Sequence, residues 1–168
     1  GQKDIEVEAK EEEGKISYQI TSLNEQGRKC LHCTCYSLAE TPGQAIAQSI
    51  SVNQIKEFYS TPLNPDEIYD TCIKMGIYHG NSMRTIKEAY TGENGCLSRL
   101  YLETVREPKE YILHPAIMDG ILQTVIGITA VREKLKEEPF VPYSIGELNI
   151  NGPLEKSCFV RFTTGSEK

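Results

Sequence analysis

With 168 residues, 39% of them hydrophobic and 25% charged, the chain has the make-up of an ordinary globular domain and not of a disordered segment. No apolar run approaches the roughly 18 residues of a membrane-spanning helix, and 18 Lys and Arg against 24 Asp and Glu, a net charge of -6 with no basic stripe, argue against nucleic acid as a partner. The chain starts at Gly1-Gln2-Lys3 without an initiator Met and looks like a piece of a longer polypeptide, while six irregularly spaced cysteines and no signal-peptide pattern point to reduced thiols and a cytoplasmic setting.

Taken in chain order, Ile5 to Ala9, Ile16 to Ile20 and Lys29 to Leu38 alternate apolar with polar residues and are separated by Glu11-Glu12-Glu13-Gly14 and Asn24-Glu25-Gln26-Gly27. Such spacing predicts an antiparallel meander over residues 1–38. Within its third run, Cys30, His32, Cys33 and Cys35 are of metal-ligand type. Strand alternation puts Cys30 and His32 on one face and Cys33 and Cys35 on the other, and no second pair at zinc spacing follows, so no metal site is expected.

Residues 39–62 shift to Ser, Gln, Thr, Pro and Gly and read as a linker to a second unit over 63–168. Asn64-Pro65-Asp66-Glu67 starts a helix with Asn as cap, Pro at the first position and acids facing the positive end of the dipole, and Gly76 closes it. Met83 to Tyr90 and Cys96 to Leu102 flank Thr91-Gly92-Glu93-Asn94-Gly95 and predict a hairpin. A long, mostly buried helix is expected from about Pro115 to Leu135, where Ile117, Ile121, Val125 and Ile128 recur at three- and four-residue steps. Strands are expected at Ser144 to Ile150 and Ser157 to Thr164. The fold class is therefore α+β, an antiparallel sheet wrapped around a long helix.

The chemistry concentrates in the long helix. Asp119 lies in its second turn among apolar neighbours, where burial disfavours the ionised form and a protonated carboxyl would be a proton donor. Gln123, one turn on, shares its face and has the reach to hold that carboxyl. On spacing alone, Asp119 as a dipole-compensating residue and Gln123 as a solvent-facing one are the commoner readings. Gly120 costs roughly 1 kcal/mol in a helix interior, which points to a close approach there. His114 reads as a helix cap or chain-orienting residue more readily than a catalytic one. His79 lies in a glycine-punctuated turn from which a side chain reaches a cleft, and His32 reads as structural.

His114-Pro115-Ala116-Ile117-Met118-Asp119-Gly120-Ile121-Leu122-Gln123 resembles the His-Pro-x-x-x-Asp-x-x-x-Gln signature of the second hot-dog half of polyketide synthase dehydratase domains. Gly76-Ile77-Tyr78-His79-Gly80-Asn81-Ser82-Met83 falls where that family carries Gly-Leu-x-Tyr-Gly-Pro-x-Phe, and Pro139-Phe140-Val141-Pro142 with Ile145-Gly146-Glu147-Leu148 is similar to its stretch after the central helix. The resemblance implies a double hot-dog fold whose first half is incomplete. It implies Asp119 as the acid that protonates a departing β-hydroxyl, with Gln123 and His114 in support, and Tyr78, His79, Gly80 and Pro115 lining the substrate tunnel. It implies no metal or redox cofactor, a substrate carried on the phosphopantetheine arm of an acyl carrier protein, and neighbouring synthase domains as partners. Homodimerisation stays open. The family's catalytic His motif, His-x-x-x-Gly-x-x-x-x-Pro, is absent around His32, His79 and His114, so the chain alone is expected to be inactive. A double-bond-shifting isomerase and a non-catalytic carrier-binding module are the alternatives.

Overall fold

The computed structural model describes residues 4–38, 51–103, 111–133 and 141–165, with the backbone alone for 126–133. The chain forms two compact units, Gly1–Ile46 and Ala47–Lys168.

In the first unit, β1 (Ile5–Glu12), β2 (Lys15–Leu23) and β3 (Lys29–Leu38) form the antiparallel meander in the order β1-β2-β3. Glu13 and Gly14, both with positive φ, make the two-residue turn that suits the twist of paired strands. Asn24 closes the next turn by accepting hydrogen bonds from the backbone N–H groups of Gln26 and Arg28. The pairing of β2 with β3 shifts register between Ile20 and Thr21, so that Cys33 faces Ile20 but Leu31 faces Thr21 and Cys30 faces Ser22. This corrects the simple alternation. The extra residue at His32 turns Cys30 to the face of Cys33 and Cys35, and His32 Nε2 lies 2.7 Å from Ser22 Oγ.

In the second unit, α1 (Val52–Phe58) and β4 (Thr61–Leu63) occupy part of the stretch expected as a linker. Neither announces itself in the sequence, because α1 buries no residue and β4 is a short edge strand that tolerates Pro62. Helix α2 (Pro65–Lys74) starts as expected, with Asn64 Oδ1 accepting from Asp66 N–H. It ends in the glycine-closed arrangement, the Ile77 N–H donating to Cys72 O and the Gly76 N–H to Ile73 O, with Gly76 at φ 78°. A 3₁₀ turn at Asn81–Met83 precedes β5 (Ile86–Gly92), which pairs with β6 (Gly95–Tyr101). The long helix α3 runs Pro115–Glu133, and its expected end at Leu135 lies outside the described residues. β7 (Ser157–Thr163) completes an antiparallel sheet in the order β4-β5-β6-β7.

No strand forms at Ser144 to Ile150. All of residues 141–150 are exposed, and the alternation there finds no neighbouring backbone among the described residues to complete a ladder. Among the described residues no helix is long and apolar enough to cross a membrane.

The core lies between α3, α2 and the sheet, with Ile68, Ile86, Cys96, Leu100 and Ile117 in one apolar cluster. Buried polar groups tie these layers together. The Tyr69 hydroxyl accepts from the Ile86 N–H at 3.0 Å, and burial pushes its pKa up to about 12. Tyr69→Phe leaves that buried N–H unpaired and is expected to cost about 1–3 kcal/mol of stability in a denaturant titration. The raised phenol also sets a pH window. The unfolded chain ionises near 10 and the folded one near 12, so this share of stability is intact below pH 10 and lost as pH rises to 12, and the loss is absent from the Phe variant.

Candidate active site

Three short segments of the second unit converge on one cavity. Helix α3 contributes Asp119, Leu122 and Gln123, which share a face at three- and four-residue spacing, while Ile117, Gly120 and Thr124 turn toward the sheet. The end of α2 contributes Cys72, and the turn beyond it Ile77 and His79. Val141 and Pro142 close the lining of a cavity of about 160 Å³.

The extended run from Ile77 to Gly80 decides which of its residues face inward. Alternation sends Ile77 and His79 to the cavity, and Tyr78, 78% exposed, to the outside. Of the four residues expected to line a tunnel, His79 is the one in the lining of this cavity. Tyr78 and Gly80 are exposed, and Pro115 is exposed at the first position of α3. His114 lies outside the cavity as well. Its Nδ1 accepts from the Ala116 N–H at 3.2 Å and its ring packs edge-on against Tyr111, which is the capping role the sequence offered as one reading.

Gln123 is 3% exposed, and its Oε1 is buried with no hydrogen-bond partner among the described residues. Its Nε2 donates to Asp119 Oδ2 at 2.5 Å and to Met83 O at 3.0 Å, so both amide hydrogens are used and the carboxyl is held in one orientation. The second bond also ties α3 to the 3₁₀ turn that follows His79. His79 Nε2 lies 3.9 Å from Asp119 Oδ2, too far for a direct hydrogen bond.

The carboxyl is less enclosed than the sequence suggested. The Asp119 side chain is 36% exposed, because its direction on α3 leads to the cavity and not into the sheet. The surrounding wall is neutral: burial, and then the nearby Asp119 carboxylate, push the Cys72 thiol up. Helical spacing alone reads Cys72 as core and passes over Leu122. A signal for Leu122 is present all the same, since it sits three residues beyond Asp119 and one before Gln123.

The close approach inferred at Gly120 is real. A Cβ there would lie 2.2 Å from Thr85 Oγ1 and 3.0 Å from Leu100 Cδ1. One turn later Thr124 Oγ1 donates back to Gly120 O and lies 2.7 Å from Ser98 Oγ, a buried polar pair between α3 and β6.

The family model described as "Polyketide synthase dehydratase N-terminal domain" matches residues 47–167. The chain belongs to the polyketide synthase dehydratase family. Polyketide synthase PksL of Bacillus subtilis is 30% identical to this dehydratase-family chain over 171 residues, 96% of the chain and 4% of the synthase. A dehydratase domain of a trans-AT polyketide synthase from Brevibacillus brevis superposes with a TM-score of 0.82 at 22% identity, covering 98% of this chain and 58% of that one. The CurK dehydratase, solved as an inactive aspartate-to-asparagine mutant, gives 0.64 at 23% identity over 75% of this chain and 45% of its own. The likeness to these domains makes the fold the hot-dog fold, and the chain spans about half the length of a solved dehydratase domain.

Proposed function

We propose that the chain supplies the acid half of a dehydratase site that eliminates water from a β-hydroxyacyl thioester on an acyl carrier protein. The observation that carries this reading is Asp119, held by Gln123 in the lining of a largely apolar cavity in a dehydratase-family fold. In the reaction the Cα–H bond breaks and its electron pair forms the Cα=Cβ bond. The Cβ–O pair leaves with oxygen, which takes the Asp119 proton and departs as water. The α-proton goes to a general base of the imidazole class, supplied from outside these 168 residues as the resemblance implies. The step requires Asp119 to enter it as the protonated acid.

Placing Asp119 in the second hot-dog half rests on the helix motif, although the matching family model is described as an N-terminal domain. The inactivity of the CurK aspartate-to-asparagine mutant fits a carboxyl at the centre of this chemistry. The same reading takes no metal or redox cofactor, has the carrier protein and adjoining synthase domains as partners, and places the protein in the cytoplasm.

The test is a substrate comparison in the full-length protein. Carrier-bound β-hydroxyacyl and β,γ-unsaturated thioesters are offered in parallel and products followed by mass spectrometry. Loss of water from the first is expected. Conversion of the second alone would make the protein an isomerase, and carrier binding without either conversion would make it a non-catalytic module.

A further inference from the structure

We infer that His79 is a second contact to the departing oxygen, so that one β-hydroxyl is seated between His79 Nε2 and the Asp119 carboxyl. This deepens the dehydratase reading and rests on it for the identity of the oxygen. The 3.9 Å between Nε2 and Oδ2 is too wide for a direct bond, yet an oxygen standing beside the line that joins them lies about 2.8 Å from both. Both residues line the cavity.

The direction of the His79 proton follows from its other nitrogen. Nδ1 is buried and has no hydrogen-bond partner among the described residues, and an unpaired buried N–H is costlier than a bare lone pair. The tautomer with its proton on Nε2 leaves only a lone pair at Nδ1 and points its N–H toward Asp119. The ring is also held in place. Its side chain is 12% exposed and meets Tyr69 edge-on at 6.0 Å, and Tyr69 is anchored by the Ile86 N–H and by the Arg84 guanidinium 4.8 Å over its ring. The 3₁₀ turn that follows His79 is bound to Asp119 through Met83 O and Gln123, which ties the segment beside the donor to the acid.

His79 transfers no proton in this arrangement. It donates a hydrogen bond that strengthens as negative charge builds on the oxygen during Cβ–O cleavage, before the Asp119 proton arrives. The family pattern has Tyr at this place, so the shorter imidazole gives this chain a different seat for the hydroxyl.

Two nearly isosteric substitutions isolate the bond. His79→Gln and His79→Met lose the ring contact with Tyr69 alike, but only Gln keeps a donor near the position of Nε2. In the full-length protein, kcat for the β-hydroxyacyl thioester is expected to fall about 10–100-fold further in His79→Met than in His79→Gln. Equal losses would show a packing role and overturn the inference. A second measurement separates it from the dehydratase reading. In an Asp119→Asn background, a β-hydroxyacyl thioester should bind more tightly than the same chain without the hydroxyl, and His79→Met should remove about 2–10-fold of that advantage. An advantage untouched by His79→Met overturns the hydroxyl seat whatever the protein catalyses. A lost advantage in a protein that never dehydrates upholds the seat and overturns the reaction.

Discussion

Asp119→Asn in the full-length protein is expected to lower dehydration of a carrier-bound β-hydroxyacyl thioester by about 10²–10⁴-fold, the usual share of a general acid, while leaving the fold nearly unchanged. An amide has the size of the carboxyl and no proton to give. The carbonyl oxygen of the introduced amide accepts the Gln123 Nε2–H as the carboxylate does, so the bridge from α3 through Gln123 to Met83 survives. The stability cost stays within about 1 kcal/mol, which covers the loss of one negative charge near a helix N-terminus. Single-turnover product analysis together with a denaturant midpoint reads both quantities. Wild-type turnover by this variant would remove Asp119 from the chemistry.

Gly120→Ala is expected to destabilise the protein by about 1–3 kcal/mol, although the same change on an exposed helix would stabilise it by roughly 1 kcal/mol. The added methyl falls 2.2 Å from Thr85 Oγ1, and Thr85 is 1% exposed, with the fully buried Leu100 beside it. Both are buried, so either these side chains or α3 must shift, and a shifted α3 carries Asp119 and Gln123 with it. A double-mutant cycle identifies the cause. Thr85→Ala removes the oxygen in conflict and leaves its Cβ at 3.4 Å, an ordinary contact. The bond sacrificed, from Thr85 Oγ1 to Ala116 O, is long at 3.4 Å. The Gly120→Ala, Thr85→Ala pair should therefore be more stable than Gly120→Ala alone, with coupling in the range of about 0.5–3 kcal/mol found for residues in contact. Strict additivity of the two changes would assign the loss to something other than this contact.

Much of the site was legible because its determinants are local. Asp119 and Gln123 share a face through helical spacing, and Gly120 signals a close approach by costing helix stability. What surrounds them is not local. Cys72 and Leu122 become cavity walls only because α2 and α3 pack side by side, and apolar residues in a helix do not say whether they face a core or a cavity. Tyr69, whose hydroxyl meets a backbone N–H 17 residues on, had no mark in the sequence, nor did the Ser98 and Thr124 pair.

The errors have the same origin. The alternation at Ser144 to Ile150 is a true β pattern, but a strand is completed by a partner, and the sequence of one segment does not supply the other. The bulge at His32 arises between two strands and moved Cys30 across the sheet without altering the residues of β3. Asp119 is less buried than its apolar neighbours imply because the period of a helix gives the angle between side chains and not which of them faces a cavity.

By itself the sequence determined the elements whose signals lie within a few residues: the opening meander, the Asn64 cap, the Gly76 stop, the long helix and the family motif upon it. Tertiary structure alone decided that His79 would turn inward and Tyr78 outward, that Gln123 would join Asp119 to Met83, and that Asp119 would line the cavity while staying partly exposed. Those outcomes depend on packing between segments distant in the chain, whose energies are settled by contact and not by local preference.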